Sequence, residues 1–226
     1  MKYKGLLLDI DNTLYDYNST HQYALGKVII YCIDTFKLTE EEIKISYATA
    51  RKKVHIELSE MASSHNRLLY FQKMLEILKI NPLEHSYTIY NIYWDNFLAY
   101  IKPFDGINEL FKKYKNKICL VTDLTAHIQY RKIKQLNLEK YCDKIVTSEE
   151  AGREKPHPYM FMLALQKLDL QVGDVCMIGD SFKKDIFGAS NLGIQSIWLN
   201  KEKKFEEYNK NKISVVKDFK EILELI

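Results

Sequence analysis

Two aspartates stand close together near the start of the chain, in the stretch LLLDIDNTLYDY over residues 6–17. Asp9 ends a run of leucines, and Asp11 follows two residues later. Two carboxylates at this spacing repel each other unless a cation offsets their charge. A solvent-facing turn is one interpretation, because aspartate is common in turns. The other is a site in which the carboxylates hold a cation and attack a phosphorus atom.

Polar residues also follow three other predicted strands. Each has an ordinary explanation when taken alone, as a turn residue, a helix cap or a surface lysine. In an open parallel sheet, however, functional side chains gather at the carboxyl ends of the strands. The further positions are Thr122 and Asp123, Lys155 in the segment EKPHP, and Asp180 with Asp185. Four strand ends of this kind favour a single site over four unrelated turns.

The segments that position these residues alternate between strands and helices. Near-continuous apolar runs predict strands that are buried on both faces of a sheet. The predicted strands cover 3–9, 117–123, 144–148, 174–180, 194–200 and 213–216. Helical spacing lies between them, over 105–114, 126–136, 158–168 and 184–192, and a last helix follows the final strand. This alternation predicts the α/β class, with a Rossmann-like, mostly parallel sheet and right-handed crossovers.

A long helical stretch separates the first two strands. A single crossover helix needs roughly 15 to 30 residues, and the roughly 100 residues found here predict a separate all-helical cap. Thr39 and Glu42 predict a capping box at the start of one helix. Another helix is predicted to bury one face, made of Tyr87, Tyr90, Trp94, Phe97 and Ile101. We therefore predict an α/β core over 1–15 and 101–226 and a helical cap over 16–100.

Composition excludes several classes of protein. The chain has 226 residues and a formal net charge of only +3, and its basic clusters at 111–117 and 200–205 are more typical of solvated faces than of a nucleic-acid interface. No apolar run reaches the roughly 20 residues of a membrane span, and the apolar start is too short for a secretory signal. The four cysteines form no C-x-x-C pair. Reduced thiols and a cytoplasmic location are expected, with no nucleic-acid or membrane partner.

Four short motifs resemble those of one known family. They are DIDNT at 9–13, VTD at 121–123, EKPHP at 154–158 and GDSFKKD at 179–185. In order and spacing they are similar to the motifs of the haloacid dehalogenase-like hydrolase superfamily, in the phosphatase branch whose helical cap follows the first motif. The match covers the whole chain except the cap. One departure is Asp123, where the family commonly has asparagine or glycine.

The resemblance implies a role for each matching residue. Asp9 would be the nucleophile that forms an aspartyl-phosphate. Asp11 would be the general acid and then the base, and its presence argues for phosphate chemistry, because the dehalogenating branch lacks a second aspartate there. Thr122 and Lys155 would be catalytic and would also bind the phosphoryl group, and Asp123 would contact the substrate side of the site.

The same resemblance implies a metal ion. Asp9, Asp180 and the backbone carbonyl of Asp11 would be its ligands, and all-oxygen ligation favours Mg²⁺ over zinc. Asp185 would lie just outside this ligand set and orient Lys155 or a metal-bound water. The cation would also offset the repulsion between the aspartates in the opening motif.

The substrate implied by the resemblance is a small phosphorylated metabolite, such as a sugar phosphate or a nucleoside monophosphate. A phosphoryl-transferring mutase and a phosphoprotein phosphatase on the same core stay open. A P-loop NTPase and a dinucleotide oxidoreductase are excluded by the absence of their glycine motifs. Six cationic or imidazole side chains of the cap are candidate substrate contacts, and each is expected to be a solvated helix residue more often than a ligand: Arg51, Lys52, Lys53, His55, His65 and Arg67. The oligomeric state is left open.

Overall fold

The structure is a computed structural model that describes residues 2–200 and 212–226. The predicted basic cluster at 200–205 lies almost entirely outside these residues. The chain divides into two compact units, one made of Met1–Asp16 with Lys102–Ile226 and the other of Tyr17–Ile101. Within the described ranges, no helix combines the length and the apolar character that crossing a membrane would require.

The first unit is built on a six-stranded sheet with the strand order β3-β2-β1-β4-β5-β6. The strands are β1 (Gly5–Leu8), β2 (Ile118–Thr122), β3 (Lys144–Thr147), β4 (Val175–Gly179), β5 (Gln195–Leu199) and β6 (Ile213–Val216). All neighbouring pairs are parallel, so the carboxyl ends of the strands share one edge. From β1 the chain continues to β2 and β3 on one side of the sheet and later to β4, β5 and β6 on the other. In a doubly wound sheet, ligands bind in the crevice where the strand order changes direction, so the site is expected at the carboxyl end of β1.

Burial on both faces explains why the strands lack an alternating pattern. Every residue of β1, β2 and β4 is buried. Leu7, Val121 and Met177 belong to a core cluster that also contains Met160 and Phe161 from a covering helix. The apolar runs therefore form the centre of the sheet, and the first polar residues after them emerge at its carboxyl edge. This arrangement confirms the predicted fold class.

Helices connect the strands of the first unit. They are α5 (Ile107–Lys113), α6 (Ala126–Gln135), the short α7 (Ser148–Ala151), α8 (Pro158–Leu168), α9 (Phe187–Asn191) and α10 (Phe219–Leu225). The helix predicted over 184–192 begins earlier than expected, because a wide π-type turn over Phe182–Ile186 precedes α9. Ser181 caps this turn by accepting from the Lys184 N–H, which keeps Asp180 at the strand end.

The second unit is all-helical. It contains α1 (Tyr17–Phe36), α2 (Glu40–Glu57), a short 3₁₀ turn (Ala62–His65), α3 (Arg67–Ile77) and α4 (Pro82–Tyr100). The Thr39–Glu42 capping box starts α2 as predicted. The predicted buried face of α4 is partly wrong, since Tyr87 is 66% exposed. The buried residues of α4 are Ser86, Ile89, Tyr93, Trp94 and Phe97, a face rotated so that Tyr87 turns to solvent. The four cysteine thiols are free and buried.

Candidate active site at the carboxyl edge of the sheet

Asp9 is the first residue after β1, and a buried lysine contacts it. The Lys155 ammonium lies 2.6 Å from Asp9 Oδ1 and 2.7 Å from Asp185 Oδ1. It also donates to the Val121 carbonyl at 2.8 Å. Asp9 and Lys155 are 5% and 3% exposed, so little water screens these charges. One ammonium thus joins the ends of β1 and β2 and the turn after β4.

The charges shift the pKa values of this trio. Burial raises the pKa of the Asp9 carboxyl well above its usual range, and Asp185 and Asp180 add to the rise while Lys155 opposes it. Burial alone would lower the pKa of Lys155, but Asp185 and Asp9 raise it well above its usual value. Burial also raises the pKa of Asp185. The lysine is therefore a fixed positive charge among carboxylates that ionise reluctantly.

Thr13 connects the end of β1 to the end of β4. Its hydroxyl donates to Asp9 Oδ2 at 2.8 Å and accepts from the Asp180 backbone N–H at 3.1 Å. The Trp198 indole donates to the Asp180 carbonyl at 2.9 Å from neighbouring β5. Burial and the nearby Asp185 raise the pKa of the Asp180 carboxyl to about 7. Thr13 belongs to the quoted DIDNT motif, but sequence reasoning gave it no role.

The acidic residues offer a cluster of oxygen atoms that suits a divalent metal. Asp9, Asp180 and Asp185 each place a carboxylate oxygen within 4.8 Å of the others. Hard oxygen donors of this kind fit Mg²⁺. Asp185, expected outside the ligand set, lies as close as the two predicted ligands, although its Oδ2 also accepts from the Ser181 N–H at 3.0 Å. The Asp11 side chain is outside this group and has other partners.

Three side chains donate hydrogen bonds to the Asp11 carboxylate. Lys132 Nζ lies 2.7 Å from Oδ1 and 3.0 Å from Oδ2. Gln129 Nε2 donates to Oδ2 at 3.1 Å, and the Tyr15 hydroxyl donates to Oδ1. Burial alone would raise the pKa of Asp11, but Lys132, with Tyr15 and Gln129, lowers it. Asp11 is therefore held as a carboxylate, and its pKa is shifted in the opposite direction to that of Asp9.

Counting charges supports the fit of a divalent cation. Asp9, Asp180 and Asp185 form the carboxylate cluster, and Asp11 stands two residues from Asp9. Within the described chain, the buried ammoniums that contact these groups are Lys155 and Lys132. When all four acids are ionised, two negative charges remain without an ammonium. A single Mg²⁺ has the charge that balances them, and burial makes such balance important.

Asp123 links the segment that carries Lys155 to the end of β2. Its Oδ1 accepts from the Lys155 backbone N–H at 3.0 Å, and its Oδ2 accepts from Lys184 Nζ at 2.7 Å. The Thr122 hydroxyl accepts from Gln129 Nε2 at 2.7 Å and donates to the Asp123 carbonyl at 3.1 Å. The departure at position 123 is thus compensated by a lysine that pairs with the extra charge.

Lys132 and Gln129 were missed by sequence reasoning. Both lie on α6 and are 0% exposed, on the same face as the buried Ile128 and Ile133. The available signal was their place on the apolar face of a helix that starts just after β2. A polar residue on such a face needs a buried partner, and here the partner is Asp11.

In the helical unit, three of the six polar residues depart from their expected exposure, since His55 and His65 are half-buried and Arg67 is buried. Arg51, Lys52 and Lys53 are exposed, as expected for solvated residues. Arg67 is only 5% exposed and donates to the His65 carbonyl at 2.9 Å and to the Tyr17 hydroxyl. The solvated interpretation of Arg67 is wrong because its guanidinium finds aromatic and carbonyl partners inside the helical unit.

One family of known proteins matches most of this chain. The family model of haloacid dehalogenase-like hydrolases matches residues 3–193. The chain belongs to this family. The resemblance predicted from the four motifs is thereby confirmed, and the haloacid dehalogenase-like match includes the helical segment between the first two strands.

Two relatives of this haloacid dehalogenase-like chain show the branch of the family. Ribulose-1,5-bisphosphate 5-phosphatase from Halopiger xanaduensis is 30% identical over 198 residues, which are 85% of this chain and 83% of that protein. Glyceraldehyde 3-phosphate phosphatase from Methanothermobacter thermautotrophicus is 26% identical over 232 residues, 99% of each chain. The prediction of an enzyme of the phosphatase type is therefore confirmed.

A solved structure of the family has the same fold. The crystal structure of the HAD-hydrolase YfnB from Bacillus subtilis, described as bound to magnesium, matches with a TM-score of 0.73 at 20% sequence identity. The alignment covers 100% of this chain and 99% of that chain. At this identity the likeness establishes the shared architecture.

Proposed function

We propose that this enzyme is a Mg²⁺-dependent phosphatase that hydrolyses a small organic phosphomonoester, of the sugar phosphate type, through an aspartyl-phosphate on Asp9. The observation that carries the proposal is the contact of Asp9, at the reversal point of the sheet, with the buried Lys155 ammonium at 2.6 Å. A second aspartate, Asp11, stands two residues away in its own set of hydrogen bonds. Nucleophile, fixed cation and second acid are the parts that two-step phosphoryl transfer needs.

In the first step, an oxygen of Asp9 attacks the phosphorus atom and forms an O–P bond. The bond from phosphorus to the substrate oxygen breaks, and that oxygen takes a proton from Asp11 and leaves as an alcohol. Because the resting Asp11 is ionised, it must first gain a proton. A bound phosphate dianion favours this gain, since a nearby like charge raises the pKa of a carboxyl group.

In the second step, a water molecule attacks the phosphorus of the aspartyl-phosphate. Asp11, now ionised, accepts the proton of that water, and the bond between phosphorus and the Asp9 oxygen breaks to release inorganic phosphate. The lowered pKa of Asp11 keeps it ionised, which is the form that can accept this proton. Because hydrolysis is split into two displacements, Asp11 can donate a proton in the first and accept one in the second.

Thr122 and Lys155 are assigned to the transferring group, and Asp123 is assigned to the support of Lys155. The Thr122 hydroxyl is a neutral donor at the end of β2, and Lys155 is a buried positive charge that can stabilise negative charge on the phosphoryl oxygens. Asp123 accepts from the Lys155 N–H at 3.0 Å, which makes it a support for the lysine rather than a second phosphate donor.

Asp9, Asp180 and the Asp11 backbone carbonyl would hold Mg²⁺, with Asp185 beside them. The carboxylate oxygens within 4.8 Å of one another support this assignment, as does the unbalanced negative charge. When bound, the ion would neutralise charge on the reacting phosphoryl group and on Asp9. Asp185 is assigned to orienting Lys155, which it contacts at 2.7 Å.

The substrate class rests on chemistry shared with the relatives. Both named relatives are phosphatases of sugar phosphates, which supports a phosphorylated sugar or triose for this chain. A nucleoside monophosphate is the next candidate to test. A mutase would use the same first step and return the phosphoryl group to a sugar, and a phosphoprotein phosphatase would accept a phosphorylated side chain.

A screen for phosphate release tests the proposal. Purified protein is incubated with Mg²⁺ and a panel of sugar phosphates, nucleoside monophosphates, p-nitrophenyl phosphate and a phosphopeptide, beside Asp9→Asn and an EDTA control. We expect release from a few sugar phosphates, loss with EDTA, and no turnover by Asp9→Asn. If every ester is inert, the phosphatase proposal fails. Full turnover by Asp9→Asn would exclude the covalent step.

A further inference from the structure

The first two turns of α6 place two polar side chains in the core, and neither takes part in the proposed reaction steps. Lys132 and Gln129 are both completely buried. Burying an ammonium without a partner is costly, so a lysine at this position has to be matched by an acid. The acid is Asp11, with both oxygens within 3.0 Å of Lys132 Nζ.

The contacts reach both oxygens of the Asp11 carboxylate. Oδ1 accepts from Lys132 and Tyr15, and Oδ2 accepts from Lys132 and Gln129. Donors on both oxygens fix the rotation of the carboxylate as well as its position, while 29% of the side chain stays exposed. Turning this group away would cost several charge-assisted hydrogen bonds at once.

Gln129 also links Asp11 to the end of β2 through hydrogen bonds. The same Nε2 atom lies 3.1 Å from Asp11 Oδ2, 2.7 Å from Thr122 Oγ1 and 2.8 Å from the Asp123 carbonyl. Thr122 is assigned to the phosphoryl group. One rigid amide on a helix thereby sets the position of the acid relative to the residue that binds the transferring group.

We propose that Lys132, with Gln129, is a positioning residue that holds the Asp11 carboxylate in place for proton transfer to the leaving oxygen. The inference rests on the proposed function, in which Asp11 is the general acid and base. Lys132 itself does not touch the substrate, since its side chain is 1% exposed. Its contribution is the alignment of a group that must lie within hydrogen-bond reach of the oxygen it protonates.

This role predicts a dependence on the leaving group. An alkyl alkoxide is a poor leaving group and needs the proton of Asp11, whereas p-nitrophenolate leaves without one. A misplaced acid should therefore slow alkyl esters more than aryl esters. General acid catalysis contributes about 10²–10⁴-fold, so partial misplacement should cost roughly tenfold to a hundredfold in kcat/KM for the alkyl ester.

The test compares Lys132→Met with Lys134→Met on the same helix, where Lys134 is exposed. The value of kcat/KM is measured with Mg²⁺ for glycerol phosphate and for p-nitrophenyl phosphate. We expect Lys132→Met to lower the alkyl value at least about tenfold more than the aryl value, and Lys134→Met to match wild type. A variant that is simply less folded would lose both activities by the same factor, and that result would overturn the inference.

A structural measurement keeps the inference open to refutation if activity is absent. Crystal structures of wild type and Lys132→Met are compared at the Asp11 side chain, which should leave its place beside Gln129 when the ammonium is removed. An unmoved carboxylate overturns the positioning role. Wild-type protein that is inert towards every ester refutes the proposed function instead. If Lys132→Met does not fold, Gln129→Leu takes its place, with a smaller preference expected in the same direction.

Discussion

Replacing Lys155 with methionine should destabilise the protein in a pH-dependent way. The ammonium contacts Asp9 at 2.6 Å and Asp185 at 2.7 Å, and all three side chains are at most 8% exposed. Methionine fills a similar volume but leaves two buried carboxylates facing each other. It also removes the donor to the Val121 carbonyl.

The size of the effect follows from the burial of the pair. Removing one partner of a buried ion pair costs about 3–5 kcal/mol. For a chain of this length, each kcal/mol lowers the midpoint of thermal unfolding by roughly 2–4 °C, so the expected drop is roughly 6–20 °C. A matched control is Lys4→Met, because Lys4 pairs with Asp174 at 2.8 Å while 71% exposed. That exposed pair should contribute little to the free energy of unfolding.

The pH dependence has a definite sign. Burial already raises the pKa values of Asp9 and Asp185, and losing the ammonium raises them further. Below these folded-state pKa values the two groups take up protons and the penalty shrinks. As pH rises, the unfolded chain ionises freely and the folded chain does not, so the variant loses stability relative to wild type.

Urea unfolding at pH 5 and pH 8, without metal, measures this difference. We expect the gap between wild type and Lys155→Met to widen towards pH 8 and Mg²⁺ to close part of it, since the cation replaces the lost positive charge. A variant as stable as wild type at pH 8, or a gap that narrows with rising pH, would refute the assigned electrostatics. The Lys4→Met protein should follow wild type at both pH values.

Metal affinity, close packing and helix capping give three more measurable outcomes. Because the pKa of Asp180 is raised to about 7, protons compete with Mg²⁺ there, and the Mg²⁺-induced rise in melting temperature should be larger at pH 8 than at pH 6; equal rises would contradict this. Gly179→Ala would place its Cβ 2.4 Å from Asp185 Oδ2 and should lower phosphate release about tenfold or more, whereas Gly173→Ala, with no atom within 4 Å, should match wild type. Thr39→Ala removes the capping box of α2 and should lower the free energy of unfolding by about 1 kcal/mol in urea titration, an effect that an unchanged midpoint would exclude.

The strands were predictable because their signal is local. A run such as ICLV at 118–121 is apolar at every position, and only a strand covered on both faces buries all of it. Each observed strand lies inside its predicted window, and the polar residues just beyond it mark the carboxyl edge. Asp9, Thr122 and Asp180 could therefore be assigned to one edge before the strand order was known.

Other parts of the molecule depend on partners that no local pattern reveals. The segment AHIQYRKIKQ has the composition of a solvated basic helix. Lys132 is nevertheless buried, because its carboxylate partner lies 121 residues earlier in the chain. The exposure of Tyr87 is a similar case: the period of α4 indicated one buried face, and only the packing of the neighbouring helices selects its rotation.

Arg67 and Lys132 show that the position of a cation on its helix can indicate burial better than its residue type does. Both are cationic side chains that residue type assigns to solvent, and both are buried in the structure. Lys132 is matched by a carboxylate, and Arg67 stacks over the rings of Tyr70 and Tyr93 at 4.9 and 5.6 Å. In each case the position on a helix, beside residues that are themselves buried, is a better guide than charge. A cation on an apolar face is stable only if a distant part of the chain supplies its partner, so such a residue should be paired with a candidate acid or aromatic group before it is assigned to the surface.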